Sequence, residues 1–140
     1  MKQKESSVVL IVNDKGEHAL QLRAAYDTSY PSHWDVAVAG GIEPGETPLQ
    51  AAVRELKEEA GIEGAPQYVE EVLYQDEITQ DRLYIHTLKH NGPFSPDANE
   101  VAKIRFFTLE QIATMVEDGE KFHPEFVFLW QKGFLKSLLY

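Results

Sequence analysis

Cysteine is absent from this sequence of 140 residues, and its absence excludes disulfide bridges, thiolate metal ligands and a cysteine nucleophile. Basic residues are few, because 13 Lys and Arg stand against 23 Asp and Glu and leave a net charge of −10. A general nucleic-acid-binding surface needs Lys and Arg to neutralise phosphates, so we expect no nucleic acid polymer as a partner. The hydrophobic runs are too short for a signal peptide or a membrane span, so we expect a cytoplasmic protein with no membrane contact.

The hydrophobic fraction of 43% is sufficient for a full core, and no Pro- or Ser-rich linker divides the chain. We therefore predict a single domain over residues 1–140. Apolar runs between turn residues predict strands at 7–12, 19–23, 34–39, 67–74, 82–88 and 101–107, with 75–81 as a turn or an irregular extension. Thr108 and Gln111 predict a capping box and a helix to residue 117, and an aromatic helix is predicted over 124–139. This order indicates an α/β fold with a mixed sheet between helices.

Residues 40–62 form the most informative stretch, a glycine-rich turn that leads into a predicted helix: GGIEPGETPLQAAVRELKEEAGI. Thr47 suits the N-cap, Pro48 suits the first helical position, and Gln50 completes a capping box. Gly61 supplies the left-handed residue that ends a helix. The pattern predicts a helix over 48–60.

The apolar residues of this helix share one arc of its surface, at roughly 100° per residue. We expect that arc to face the core; it contains Leu49, Ala52, Val53, Leu56 and Ala60. The neighbouring arc carries three glutamates, which we call the glutamate cluster: Glu55, Glu58 and Glu59. These carboxylates are predicted to lie at the edge of the buried face, where a cleft can form and where Glu46 of the preceding loop can approach them.

One interpretation of the glutamate cluster is a solvated charged face. Two features favour a bound cation instead. Glu55 and Glu59 are like charges at i,i+4, a spacing that destabilises a helix by roughly a few tenths of a kcal/mol. Glu58 and Glu59 also stand in the last turn, where the helix dipole disfavours anions. Oxygen ligands, with no Cys and no His on the helix, suit a hard ion such as Mg²⁺ or Mn²⁺.

The stretch 40–62 resembles the Nudix box, written G-x5-E-x7-R-E-U-x-E-E-x-G-U with U aliphatic. Every fixed position matches: Gly40, Glu46, Arg54, Glu55, Leu56, Glu58, Glu59, Gly61 and Ile62. The resemblance implies a Nudix-type α/β/α sandwich in which the box forms a loop-helix-loop. It also implies a hydrolase that uses Mg²⁺ or Mn²⁺ to cleave the diphosphate of a nucleoside diphosphate linked to another moiety, or of a related small organic diphosphate.

The resemblance assigns roles within the box. Glu55, Glu58 and Glu59 resemble the metal-binding carboxylates, and the Gly40 carbonyl is a further expected ligand. Arg54 resembles the arginine that orients a glutamate by ion pairing, with Glu46 as an outer ligand or structural partner. The general base stays open among Glu55, Glu58 and Glu100, since family members use different carboxylates. For Glu100, which precedes a predicted strand, a surface glutamate is an equal alternative.

Two residues outside the box are candidate substrate contacts. Arg23 is a candidate for a substrate phosphate, with an ordinary surface arginine as the alternative. Trp34 is a candidate to stack on a ligand, with core or loop packing as the alternative. The histidines are scattered without ligand spacing, and none is assigned to metal. The aromatic residues near the C-terminus predict core packing or a contact in a homodimer: Phe122, Phe126, Phe128, Trp130 and Phe134.

The sequence around the box also bears on the reaction. Ala39 precedes the paired glycines, and the run YPSHWDVAVAGGIEPGE resembles the branch of the superfamily near isopentenyl-diphosphate isomerase. That isomerase relies on a catalytic cysteine, which this chain lacks, whereas hydrolysis needs no residue that is missing. An isomerase-like enzyme and a non-catalytic binding module remain alternatives, although such modules commonly lose box residues.

Overall fold

A computed structural model of the chain describes residues 1–138. In this range the chain forms seven β-strands and three α-helices. The strands are β1 (Lys2–Val12), β2 (His18–Arg23), β3 (Trp34–Val36), β4 (Val38–Gly41), β5 (Gln67–Gln75), β6 (Thr79–Lys89) and β7 (Val101–Phe107). The helices are α1 (Pro48–Glu55), α2 (Leu109–Glu117) and α3 (Pro124–Gln131), and none of them is long and apolar enough to cross a membrane.

Strand β1 lies at the centre of the sheet. It pairs in parallel with β6 along its whole length and antiparallel with β4 over residues 6–9. It pairs with β2 at the hairpin base, Val12↔His18, and β2 then pairs antiparallel with β3 and β7. β5 is antiparallel to β6 at the edge of the sheet. The predicted mixed sheet is confirmed, and it opens where β2 separates from β1.

The two faces of the sheet carry two separate cores, because successive residues of a strand point to opposite faces. Val8 and Leu10 of β1 belong to one core, and Val9 and Ile11 belong to the other. The first core packs against α2 and α3 through Ile112, Phe126 and Leu129. The second packs against the box helix through Ala52, Leu56 and Ala60. Helices on both faces confirm the predicted α/β/α sandwich.

The box helix begins as its sequence predicts. The Thr47 hydroxyl accepts a hydrogen bond from the Gln50 backbone N–H, and the Gln50 side chain accepts one from the Thr47 N–H. Gly61 ends the helix with a φ of 64°, a left-handed conformation that favours glycine. The helix type differs from the prediction, because residues Leu56–Ala60 form a π-helical turn after α1. Such turns are rare and occur frequently at functional sites.

The predicted buried arc of this helix is wrong at two positions. Leu49 and Val53 are exposed, at 47% and 44%, whereas Glu55 and Glu59 are buried. The helix approaches the sheet through Ala51 and Ala52, both fully buried, because their small side chains allow close contact. The Ser7 hydroxyl, which donates to the Pro48 carbonyl, fixes its first turn against β1. The buried face is therefore rotated toward the glutamates.

The C-terminal helix is shorter than predicted. α3 ends at Gln131, with Lys132 as its C-cap, and Gly133 follows with a φ of 82°. Glycine adopts this left-handed conformation without strain, so it ends the helix where the aromatic pattern continues. Residue 139, the predicted end, lies outside the described residues. The aromatic side chains pack in or against the first core, as one of the two alternatives predicted: Phe122, Phe126, Phe128, Trp130 and Phe134.

The remaining differences concern strand boundaries. β1 begins at Lys2 and β6 at Thr79, earlier than predicted, because the polar residues 2–6 pair in parallel with 79–83. Asp81, placed in a turn or irregular extension by its sequence context, therefore lies within a strand. The predicted strand 34–39 is interrupted at Ala37, where the chain passes from pairing with β2 to pairing with β1. The helix of α2 and its capping box match the prediction.

Candidate active site

A polar cavity of about 440 Å³ lies where β2 separates from β1. One end is lined by Gly40 and Glu59 of the box, with Glu100 from the turn before β7. The other end is lined by Asp81 and Glu125, which come from β6 and α3. Of the predicted site residues, Gly40, Glu59, Glu100 and Arg23 line this cavity, whereas Arg54, Glu55, Glu58 and Trp34 do not.

Glu59 is the most enclosed member of the glutamate cluster, with 6% of its surface exposed. Gln21 Nε2 donates to Glu59 Oε1 (2.8 Å), and the Ala39 N–H donates to the same oxygen (3.3 Å). Burial, followed by the adjacent Glu55 carboxyl, raises the pKa of Glu59 well above its usual value. Gln21 was not identified from sequence, although a glutamine within a mostly apolar strand is a signal of a buried polar role.

Glu55 lies against the backbone of Gly40. A Cβ atom at Gly40 would overlap the carboxyl group of Glu55, so a residue without a side chain is required there. Arg54 Nη1 donates to Glu55 Oε1 (2.7 Å). Glu55 is 8% exposed, and its carboxylate is held between the β4 backbone and this guanidinium. The first glycine of the box therefore provides space for a carboxylate.

The Arg54 guanidinium connects the loop and helix of the box. Its Nε and Nη2 donate to the two oxygens of Glu46 at 2.8 and 2.9 Å, a bidentate pair. Nη2 also donates to the Gly41 carbonyl (2.9 Å), and Nη1 donates to Glu58 (3.2 Å) as well as to Glu55. The Arg54 hydrogen bonds, followed by the Glu43 N–H, lower the pKa of Glu46 to about 2. Of these contacts, only that of Arg54 with Glu58 has the i,i+4 spacing of neighbours on a helix surface.

The donor set fits a hard divalent cation. Four carboxylates lie around the single guanidinium of Arg54, those of Glu43, Glu46, Glu55 and Glu58, and the buried Glu59 carboxyl lies beside the buried Glu55. Excess negative charge in a buried place is costly unless a cation compensates it. Within residues 1–138 no three carboxylate or histidine side chains converge in metal-ligand geometry. In the glutamate cluster, Arg54 instead donates to Glu55 at 2.7 Å and to Glu58 at 3.2 Å.

Glu100 stands at the cavity rim, just before β7. Desolvation at the rim, followed by the nearby carboxylates of Glu55 and Asp97, raises the pKa of Glu100, although the residue is exposed. The Glu100 carbonyl accepts from the Ala24 N–H (3.1 Å), which ties this turn to the end of β2. The structure thus brings Glu100 to the same cavity as Glu59.

The two candidate substrate contacts differ in position. Arg23 lines the cavity, but its guanidinium already donates to the Ser29 carbonyl (3.0 Å) and to Asp27 (3.2 Å), and lies 3.5 Å from Asp35. Trp34 is not among the cavity-lining residues. Its ring packs edge-on against Phe107 with 5.2 Å between centroids, beside the first core. The packing alternative describes the observed position of Trp34.

The far end of the cavity was not predicted from sequence. We call it the acidic wall and define it as Asp35, Asp81 and Glu125. Asp81 is fully buried, and its carboxylate accepts from the Ser6 hydroxyl, with Lys4 Nζ at 3.8 Å. Burial, followed by Asp81 and Asp35, raises the pKa of Glu125 to about 9, against the opposing charge of Lys4. An aspartate inside a strand would have signalled a buried polar role. Asp81 gave no such signal, because the strand was predicted to begin at residue 82, one residue after it.

The chain is similar in sequence to known proteins of one family. The family model of the NUDIX domain matches residues 1–129. An uncharacterized Nudix hydrolase of Listeria innocua is 34% identical over 131 residues, covering 92% of this chain and 76% of its own. The human diphosphoinositol polyphosphate phosphohydrolase 3-alpha is 30% identical over 101 residues, covering 70% of this chain and 61% of its own.

Solved structures share the fold at lower identity. The MutT protein from Methanosarcina mazei superposes with a TM-score of 0.81 at 21% identity, covering 99% of this chain and 97% of its own. A MutT Nudix hydrolase from Burkholderia pseudomallei superposes with a TM-score of 0.77 at 15% identity, covering 99% and 100%. At these identities the likeness concerns the fold alone.

Proposed function

This chain belongs to the Nudix family of hydrolases, and we propose that it cleaves the diphosphate bond of a nucleoside diphosphate linked to another moiety, or of a related small organic diphosphate, in a divalent-metal-dependent reaction. We expect a single domain, residues 1–140, to catalyse this reaction. The observation that supports it most is the burial of Glu55 against Gly40 and of Glu59 in the wall of a polar cavity that Gly40 also lines. Burying two adjacent carboxylates is unfavourable unless another interaction compensates their negative charge. A divalent cation bound there would do so.

The residues that would hold Mg²⁺ or Mn²⁺ are Glu55, Glu58 and Glu59, with the Gly40 carbonyl. Held there, a divalent ion would supply positive charge to neutralise the diphosphate oxygens and would make a water more acidic. Arg54 and Glu46 would hold the box loop against the helix and keep Glu55 in place. Gln21 would orient Glu59 through its 2.8 Å hydrogen bond.

For the general base we propose Glu100, with Glu55 and Glu58 of the box as the alternatives. Glu100 lines the cavity next to Gly40 and Glu59, where desolvation, followed by the nearby carboxylates, raises its pKa. Arg23 would contact a substrate phosphate only if its guanidinium gave up its contact with Asp27 or Asp35. Trp34, beside Phe107, would contact only a ligand that extends beyond the cavity.

The test is a phosphatase-coupled phosphate-release screen with and without Mg²⁺ or Mn²⁺. The panel contains nucleoside triphosphates, nucleotide sugars, dinucleoside polyphosphates, ADP-ribose, NADH, coenzyme A, prenyl diphosphates and a diphosphoinositol polyphosphate. Metal-dependent release from any of these supports the proposal. No release from the whole panel by a folded, metal-loaded sample would contradict it.

Two further outcomes separate the alternatives. Rearrangement of a prenyl diphosphate without phosphate release would indicate an isomerase-like enzyme. Tight binding of a panel member without any turnover would indicate a binding module. A homodimer and a cytoplasmic location stay predictions from the sequence; sedimentation equilibrium and cell fractionation test them.

A further inference from the structure

His86 of β6 is a fully buried histidine that has no part in the proposed reaction. Its Nδ1 lies 3.0 Å from the Tyr84 carbonyl and 3.2 Å from the Val8 carbonyl, so we assign the proton of the neutral ring to Nδ1. Burial lowers the pKa of His86, against the opposing effect of the two carbonyls, and keeps the ring neutral near pH 7. Nε2 is then an acceptor, and among residues 1–138 no group donates to it. A buried acceptor without a donor is unfavourable, so this atom points to a ligand that supplies one.

The imidazole lies on the face of the sheet that carries the box helix, next to the edge strand β5. His86 pairs with Val9, a residue of the second core, and side chains of paired residues point to the same face of a sheet. On its other side His86 pairs with Tyr68, whose ring packs edge-on against the imidazole with 5.6 Å between centroids. Tyr68 is 53% exposed and stands at a bulge, where the register shifts between Tyr68 and Glu70. A half-exposed side chain therefore packs on the ring, and a ligand that displaces it contacts the imidazole.

The box helix turns two exposed apolar side chains toward β6 and β5. Glu55 lies against Gly40 of β4, and β4 and β6 pair with opposite edges of β1. At 100° per residue, Leu49 and Val53 are about 120° and 160° away from Glu55 around the helix. They therefore lie on the β6 side, where both are exposed. The sheet leaves this part of the apolar arc uncovered.

These side chains and those of β5 border a groove whose floor is β6. Neighbouring strands are about 4.8 Å apart, so β5 lies about 10 Å from β1, on which the helix packs. A helix with its side chains has a radius of about 5–6 Å, which leaves a space about one side chain wide above β6. We call this space the α1–β5 groove and define it by Leu49, Val53, Tyr68 and Val69, with His86 beneath. All four bordering side chains are exposed and apolar or aromatic, which favours a ligand with an aromatic or aliphatic body.

The charges beside the groove favour a basic protein segment as its occupant. β5 carries Glu70 and Glu71 but no Lys or Arg, and Arg82 of β6 contacts Glu71 at 3.4 Å. Lys57, in the π-helical turn, opposes this charge, but the chain as a whole carries −10, and a second copy would bring the same negative charge. β5 is also an edge strand, and within residues 1–138 only β6 pairs with it. An extended segment with Lys or Arg can therefore pair with its free backbone.

We propose that the α1–β5 groove binds a basic segment of another protein through a tryptophan side chain. The indole fills the space between Val53 and Tyr68, and its N–H, which is a donor only, donates to Nε2 of His86. Basic residues next to the tryptophan contact Glu70 and Glu71, and the segment extends along the free edge of β5. The groove lies on the side of the box helix away from Glu55, so this binding is independent of the proposed reaction.

The probe is the synthetic peptide acetyl-Lys-Val-Lys-Trp-Lys-Val-Lys-amide, titrated into the ¹⁵N-labelled protein. We expect saturable binding and a shift of the His86 Nε2 resonance in long-range ¹H–¹⁵N spectra, because this nitrogen gains a donor. The matched control peptide carries N-methyltryptophan, methylated on the indole nitrogen, which keeps the ring but has no N–H and should bind about tenfold more weakly. Equal affinity of the two peptides overturns the inference, as does an unchanged Nε2 resonance or the absence of binding.

Substitutions in the protein locate the site. Val53→Lys should weaken binding of the tryptophan peptide by about tenfold or more, because it places a like charge in the groove. Ile78→Lys is the matched control, since Ile78 is an exposed apolar residue of the turn between β5 and β6, and it should bind as the unaltered chain does. His86→Leu should remove the difference between the two peptides; if this variant does not fold, the peptide pair and Val53→Lys still decide the matter. Equal losses in Val53→Lys and Ile78→Lys overturn the assignment.

Sedimentation equilibrium without peptide distinguishes a segment of another protein from a second copy of this chain. We expect the same mass for the unaltered chain, Val53→Lys and Ile78→Lys. Self-association that Val53→Lys abolishes and Ile78→Lys retains would show that a second copy covers the groove, which overturns the proposal.

Discussion

The helices α1 and α2 both begin at a threonine N-cap with a complete capping box, yet they turn different side chains toward the sheet. α2 buries Ile112 and Met115, as an amphipathic helix should. The box helix buries Glu55 and Glu59 and exposes Leu49 and Val53. It also ends in a π-helical turn, while α2 ends in an ordinary C-cap at Asp118. Burying carboxylates is unfavourable, so this departure from the amphipathic pattern is a reason to propose a functional role for the box helix.

The largest expected effect is on kcat, and it tests the difference between the box helix and α2. Glu58→Gln and Glu59→Gln should each lower kcat by about a thousandfold or more, because both remove a carboxylate assigned to metal. Circular dichroism should show the fold intact, since glutamine keeps the shape of the side chain. Glu117→Gln, in the last turn of α2, is the control and should retain full activity. Wild-type rates in both cluster variants would contradict the metal-site assignment.

The next effect concerns stability. Ile112→Ala should lower the free energy of unfolding by about 3 kcal/mol, since it creates a cavity in the first core. Leu49→Ala should change it by less than about 1 kcal/mol, because Leu49 is 47% exposed and alanine is a good helix former. Urea unfolding followed by fluorescence measures both. Similar losses in the two variants would mean that α1 packs through its apolar arc after all.

Substitutions at Gly40 and Gly41 test whether the space at Gly40 allows the Glu55 carboxylate of α1 to be buried. Gly40→Ala should displace Glu55 and lower kcat/KM about 30-fold, equivalent to about 2 kcal/mol. The expected loss of stability is smaller, since the overlapping atoms belong to the end of a side chain. Gly41→Ala is the control, because a Cβ there meets no atom within 4 Å. An active Gly40→Ala enzyme would show that Glu55 need not occupy its observed position.

The smallest effect tests the feature that the two helices share. Thr47→Ala and Thr108→Ala should each cost about 1 kcal/mol of unfolding free energy, because the two caps have the same hydrogen bonds. Parallel denaturant titrations provide the comparison. A difference larger than about 1 kcal/mol would show that the start of one helix is held by tertiary contacts instead.

Sequence reasoning succeeded where local chemistry determines the result. The caps at Thr47 and Thr108 and the stop at Gly61 depend on residues within four positions of each other, and the structure confirms them. The box identified the glutamate cluster because its spacing is specific. The sandwich followed from the resemblance, since periodicity alone leaves the strand order undetermined.

The rest depends on long-range pairing that one sequence does not display. The rotation of α1 results from Ala51 and Ala52 packing on a sheet whose order was unknown. Asp81 became part of the cavity because β6 begins at Thr79, paired with the polar start of β1. Glu125 joined it through the docking of α3. Gln21 and the acidic wall are therefore tertiary features. Gln21 and Asp35 are single polar residues in apolar contexts, whereas Asp81 lies in the polar run 75–82 and gives no such signal.

The most direct test of the central claim is the binding of Mn²⁺ to the free protein, measured from the electron paramagnetic resonance signal of unbound Mn²⁺. We expect Mn²⁺ to bind to the unaltered chain and to Glu117→Gln, and to bind at least tenfold more weakly to a Glu58→Gln, Glu59→Gln double variant that remains folded. Unchanged Mn²⁺ affinity in the double variant would contradict the assignment of the glutamate cluster as the metal site.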